Sequence, residues 1–147
     1  MQKLDINPQA KGLIFDLDGT LADTMPVHFN AYQNILGKYG VDYSARMFLE
    51  LAGVPAVETI ERINEVYGVK LHPKEVGFEK EAEYERMMHK IKPIQPVVDL
   101  VKKYHGKLPM AVGTGGYRHL AQKTLEFIGL SDYIDIVVTA NDVSNFK

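Results

Sequence analysis

Residues 12–24 read Gly-Leu-Ile-Phe-Asp-Leu-Asp-Gly-Thr-Leu-Ala-Asp-Thr and constrain the fold more than any other stretch. Leu13, Ile14 and Phe15 form an apolar run of the kind expected in a strand buried on both faces, and Asp16, Asp18 and Gly19 end it abruptly. An acid pair therefore stands at the C-terminal end of a strand, where open α/β sheets bind their ligands. Residues two apart along a strand project to one side, so both carboxylates can address one reacting centre. Gly19 then lets the backbone turn away.

Such a pair suits phosphoryl transfer through a covalent aspartyl-phosphate. One carboxylate attacks phosphorus, the other protonates the leaving oxygen and later deprotonates water, and a divalent cation masks the charge of the anions brought together. A calcium loop starting at Asp16 would need Gly at its sixth position and Glu at its twelfth, where Leu21 and Val27 stand, so that reading fails. An Asp-Gly hairpin turn stays open as the bland alternative.

Asp16-Leu17-Asp18-Gly19-Thr20 after an apolar strand resembles the first motif of the haloacid dehalogenase superfamily. Gly113-Thr114-Gly115-Gly116 after residues 109–112 resembles the second, in the same order and spacing. His105-Gly106, residues 109–115 and the ending Asn145-Phe146-Lys147 are similar to the beta-phosphoglucomutase-like branch, especially small phosphatases of fructose 1-phosphate or 6-phosphogluconate. The resemblance runs from about Gly12 to the last residue. It implies an α/β fold, a Rossmann-like parallel core made of residues 1–24 and 93–147, with residues 25–92 inserted as a helical cap. It makes Asp16 the nucleophile and Asp18 the acid and base, with Mg2+ held in part by the Asp16 carboxylate and the Asp18 carbonyl oxygen. Thr114 and Lys147 fall to the phosphoryl group, and Thr24 and His28 fall where the branch faces its substrate, a small phosphorylated sugar. Members of the family continue with Pro-x-Pro-Asp, another helix and a strand ending in an acidic fourth motif. The resemblance thus implies an incomplete core, a weakened magnesium site and a free edge on the first strand open to self-association.

Taken without the family, several of these residues read more plainly. Thr114 lies in a run with three glycines, and Gly115 and Gly116 permit the close backbone approach that a phosphate needs, but a plain strand-to-helix turn fits equally. A terminal lysine such as Lys147 is ordinarily solvated. Thr24 and His28, four apart, share a helix face that could simply be exposed. After Gly53 come Val54, Pro55, Ala56 and Val57, where mutases of the branch carry an Arg for a second phosphate, which favours a phosphatase over a mutase.

With 147 residues, 46% hydrophobic and 24% charged, the chain has a globular composition, and its net charge of −2 offers no basic field for nucleic acid. The absence of Cys excludes thiolate zinc sites, and the five His residues show no metal-binding spacing, which leaves an oxygen-ligated metal. A polar N-terminus and no apolar run near ~20 residues suggest a cytoplasmic protein away from membranes. Helices are expected from Pro26 to about Tyr39, over residues 46–52, from Pro55 to Gly68, and from Pro73 to about Lys90. The last has apolar positions (Val76, Phe78, Ala82, Met87, Met88) with no clean period. Beyond Pro93 and Pro96 the pattern alternates: a helix around Val97–Tyr104, a strand at 109–112, a helix around Leu120–Ile128 and a strand at 134–139, arguing for parallel pairing.

Overall fold

The computed structural model describes residues 4–145, so Lys147 lies outside the described residues. In chain order the elements are β1 (Leu13–Phe15), β2 (Ala22–Asp23), α1 (Met25–Lys38), α2 (Ala45–Glu50), α3 (Ala56–Tyr67), α4 (Pro73–Met87), β3 (Lys92–Pro93), α5 (Gln95–Tyr104), β4 (Met110–Gly113), α6 (Arg118–Phe127) and β5 (Ile136–Val138). Short 3₁₀ turns follow α4 and β5, at Met88–Lys90 and Ala140–Asp142.

β1, β4 and β5 form one parallel sheet in that order, Leu13 opposite Met110 and Ala111 opposite Ile136. β2 and β3 pair antiparallel where the chain leaves for the four helices and returns from them. Neither two-residue strand is legible in the sequence. Proline opens α1, α4 and α5, where its missing N–H costs no helical hydrogen bond. α1 and α3 end near Gly40 and Gly68, both in the left-handed region that glycine adopts without strain. No described helix is long and apolar enough to cross a membrane.

Two apolar clusters organise the interior. One joins Phe15, Met110 and Val112 of the sheet to Val98 and Val101 of α5 and Leu120 and Leu125 of α6, and it takes in Val27 of α1 and Tyr84 of α4. The other lies among the helices, joining Ile35 and Leu36 of α1 to Phe48, Ile60, Ile63 and Val76. The expectation of a first strand buried on both faces needs correction. Phe15 is 8% exposed, but Ile14 is 85% exposed, as is 58% of its sheet-face neighbour Ile136. The chain steps from β1 to β4 to β5 in one direction, and crossovers of a single hand then place α5 and α6 on the same face. The Ile14 face stays open among the described residues.

The facing of helix α4, which its apolar positions leave open, is set by other residues. Its buried residues are Val76, Gly77, Lys80, Glu81 and Tyr84, whereas Phe78 is exposed. The inward stripe keeps a four-residue period but carries two charges, which an apolar pattern cannot reveal.

Candidate active site

The turn after β1 is fixed by its own backbone. Gly19 N–H bonds the Ala22 carbonyl at 2.8 Å and Ala22 N–H bonds the Leu17 carbonyl at 3.1 Å, with Gly19 at φ 74°. Leu17 is driven into the core between the two acids, and Asp16 and Asp18 remain in a cavity of about 190 Å³. Thr114, Gly115 and Gly116, just past β4, form a second wall. Met25 and His28 of α1, the 51–56 loop, and Lys80 and Glu81 of α4 line the rest. The sheet end thus brings together Asp16, Asp18, Thr114, Gly115 and His28.

Asp18 is held from both sides. Thr24 donates its hydroxyl hydrogen to Oδ1 at 2.6 Å, His28 Nε2 lies 3.1 Å from the same oxygen, and the Thr114 hydroxyl donates to Oδ2 at 3.2 Å. Burial pushes the Asp18 carboxyl up, but the hydrogen bond from His28, with those from the Thr24 and Thr114 hydroxyls, outweighs it and holds the group well below the usual carboxylate range. Thr24 is itself fully buried. Its place on an exposed face, one of the two readings left open above, is excluded. His28 is only partly exposed and stacks on Tyr84, with ring centroids 3.9 Å apart and planes 3° from parallel.

Behind His28 stands Lys80, its Nζ 2.9 Å from His28 Nδ1 and 3.3 Å from Glu81 Oε1. The ammonium also sits 4.5 Å from the Tyr32 ring centroid. Burial pushes the Lys80 amine down, against the charges of Glu81 and Asp18. A protonated lysine has no lone pair, so it donates to Nδ1, which leaves the hydrogen on Nε2 to be given to Asp18. Lys80 and Glu81 were missed by sequence reasoning. The signal was the four-residue step Val76, Lys80, Tyr84, Met88, all buried.

The glycine-rich turn is tied to β5. Thr114 N–H bonds the Val138 carbonyl at 2.9 Å, Gly116 N–H bonds Thr114 Oγ1 at 3.1 Å, and Ala140 N–H bonds the Gly116 carbonyl at 3.0 Å. Gly115 faces the 51–56 loop so closely that a Cβ would fall 2.2 Å from the Gly53 carbonyl oxygen. A bare Cα is therefore required by the contact with that loop, besides any need of a phosphate.

Among the described residues no group of three or more His, Asp or Glu side chains is placed to hold a metal ion. Both Asp18 carboxylate oxygens are engaged by protein donors. The Asp16 carboxylate and the Asp18 main-chain carbonyl are the oxygens that would hold a hard cation if the resemblance carries over, and magnesium commonly completes so small a protein set with water and phosphate oxygens.

The Haloacid dehalogenase-like hydrolase family profile matches residues 13–147. The fructose-1-phosphate phosphatase YqaB of Escherichia coli (strain K12) is 40% identical over 137 residues, covering 92% of this chain and 72% of that protein. The phosphorylated carbohydrates phosphatase of Thermotoga maritima is 28% identical, with 93% of this chain and 64% of that protein covered. A hydrolase from Pseudomonas syringae superposes with a TM-score of 0.82 at 22% identity, covering 94% of this chain and 64% of that one. For the beta-phosphoglucomutase of Clostridium difficile the TM-score is 0.79 at 23% identity, with 92% and 64% covered. The chain thus spans just under two thirds of these two structures and of the Thermotoga protein. Its two acids at the end of β1, its threonine and glycines at the end of β4 and its sequence match have one common meaning: it belongs to the haloacid dehalogenase-like hydrolases.

Proposed function

We propose that the chain carries the catalytic acids of a magnesium-dependent phosphatase that hydrolyses small sugar phosphates through an aspartyl-phosphate. The observation that carries this reading is Asp18 clamped by Thr24, His28 and Thr114 in the cavity that Asp16 also lines. An Asp16 oxygen attacks phosphorus and the ester P–O bond breaks, the departing alcohol taking a proton from Asp18. Asp18 then removes a proton from water as that water attacks phosphorus, and the Asp16–phosphorus bond breaks to release inorganic phosphate. In the free site Asp18 is held as a carboxylate, and the negative charge of an arriving phosphate favours the protonated form that the first step needs. Thr114 and the Gly115 backbone serve the phosphoryl group, Lys147 adds a positive charge, and Thr24 and His28 orient Asp18. The Asp16 carboxylate and the Asp18 carbonyl would hold magnesium, whose charge offsets that of the phosphate. Residues 25–92 serve as a cap, and residues 1–24 with 93–147 as the core, working in the cytoplasm.

A phosphomutase is the less favoured reading, because Gly53, Val54, Pro55 and Ala56 line the cavity without a guanidinium for a second phosphate. The test is release of inorganic phosphate from fructose 1-phosphate with and without magnesium. Asp16→Asn should abolish both release and covalent labelling, and Asp18→Asn should slow turnover by roughly 10² to 10⁴. An Asp16→Asn protein that still traps phosphate covalently overturns the assignment. Migration of the phosphoryl group in place of its release would instead establish the mutase.

A further inference from the structure

His28 meets Asp18 and Lys80 through its two ring nitrogens, Nε2 at 3.1 Å and Nδ1 at 2.9 Å. Both contacts act at the edge of the imidazole. Rotation about the Cβ–Cγ bond carries both nitrogens off these partners, and that torsion is intrinsically broad in histidine. A hydrogen bond weakens steeply once its donor leaves the line to the acceptor. On the cavity side the ring has open space beside it. Its other support is Tyr84, stacked on it with ring centroids 3.9 Å apart and planes 3° from parallel. A second ring lying flat at that distance blocks the rotation, because turning drives an edge of the imidazole into it.

Tyr84 is itself fixed. It is 1% exposed and, although borne by α4, packs in the cluster that joins the sheet to α5 and α6. Burial pushes its hydroxyl up, so the ring stays a neutral phenol, and the Lys80 ammonium lies 5.4 Å from its centroid. One ring thus backs both His28 and the lysine that bonds it. We infer that Tyr84 is a positioning residue of the reaction: the face of its ring, and not its hydroxyl, keeps His28 aimed at Asp18. This rests on the phosphatase reading, in which Asp18 is the acid and base, and adds a residue that acts through His28 from behind the cavity wall.

Tyr84→Phe keeps the flat face and Tyr84→Leu removes it. With fructose 1-phosphate and magnesium, Tyr84→Leu should lower kcat at least about tenfold with KM within about twofold, and Tyr84→Phe should keep both within about twofold. In a His28→Ala background, Tyr84→Leu should change kcat by less than about twofold, whereas a packing role alone would cost the same in both backgrounds. The free protein gives a readout without turnover. Carbon-13 relaxation should report a rigid His28 ring in the parent and in Tyr84→Phe, and an order parameter below about 0.6 in Tyr84→Leu. Circular dichroism establishes that each variant is folded, and Tyr84→Met, which also lacks a flat face, serves if Tyr84→Leu is not. A tenfold loss in Tyr84→Phe, equal losses with and without His28, or a His28 ring that stays rigid without the Tyr84 face overturns the inference. The expected relaxation pattern in a chain that releases no phosphate would uphold the hold of Tyr84 on His28 and overturn the phosphatase reading alone.

Discussion

Lys80 and Glu81 lie side by side in sequence and almost wholly inside the protein, their side chains 3% and 11% exposed and their charges 3.3 Å apart. A buried pair of this kind contributes little net stability, because desolvating two ions offsets most of their attraction. Removing one partner is a different matter, typically costing about 3–5 kcal/mol because the other charge is stranded. Lys80→Met should therefore destabilise the fold on that scale in urea unfolding, and it also removes the donor that fixes the His28 tautomer. The Lys80→Met/Glu81→Gln double variant should recover a large part of the loss. Additive losses in the double-mutant cycle would show that the two charges do not act as a pair. At Gly115 the constraint is steric. Gly115→Ala brings a methyl against the Gly53 carbonyl, so the loop must lift, and both phosphate release and the melting temperature should fall. Unaltered turnover in that variant would show that the contact is not needed for catalysis.

At the scale of elements, the turn after β5 illustrates how a small motif positions the site. Asp142 accepts from Arg118, from the Thr139 N–H at 2.7 Å and from the Thr139 hydroxyl at 2.8 Å, and the same turn bonds the glycine-rich loop through Ala140 N–H. The Arg118 hydrogen bond, aided by the Thr139 N–H and hydroxyl, lowers the Asp142 carboxyl from 3.8 to about 2. A depressed carboxyl contributes stability that is fully present above its unfolded value and is lost as pH falls through the folded one. Asp142→Asn should thus lower the urea midpoint at pH 5, with the gap closing between about pH 4 and 2. A gap that persists at pH 2 would place the effect in shape and not in charge. The helices were readable because prolines and left-handed glycines mark their ends and because stripes such as Val27, Ala31 and Ile35 repeat at helical spacing. β2 and β3 were not, since two residues hold no period. The inward face of α4 was hidden for a better reason: its lysine and glutamate face the cavity, so the functional stripe breaks the apolar pattern. Of the site, the two acids and Thr114 could be found from motif and spacing, whereas Glu81 becomes visible only when α4 is laid against α1.

For the whole molecule, the sheet shows an imbalance that bears on how the chain behaves in solution. Strands of a parallel sheet are ordinarily covered on both faces, and here α5 and α6 share one. The opposite face presents Ile14 of β1 and Ile136 and Val138 of β5, all exposed, on either side of Ala111 of β4, which is in register with Ile14 and Ile136. Among the described residues β1 pairs with β4 alone, leaving main-chain donors and acceptors along its outer side. An apolar face and an open strand edge side by side form a surface that favours association. The free edge was expected to expose Leu13, Ile14 and Phe15 together; Ile14 is exposed, whereas Leu13 is half-buried and Phe15 is buried against the helices. These 147 residues by themselves should therefore self-associate in a concentration-dependent way, measured by light scattering coupled to gel filtration. Ile14→Lys and Ile136→Glu, each at an exposed position, should shift the population toward monomer without altering the far-ultraviolet circular dichroism. A monomer at every concentration, or an assembly indifferent to both substitutions, would show that neither the face nor the edge governs association.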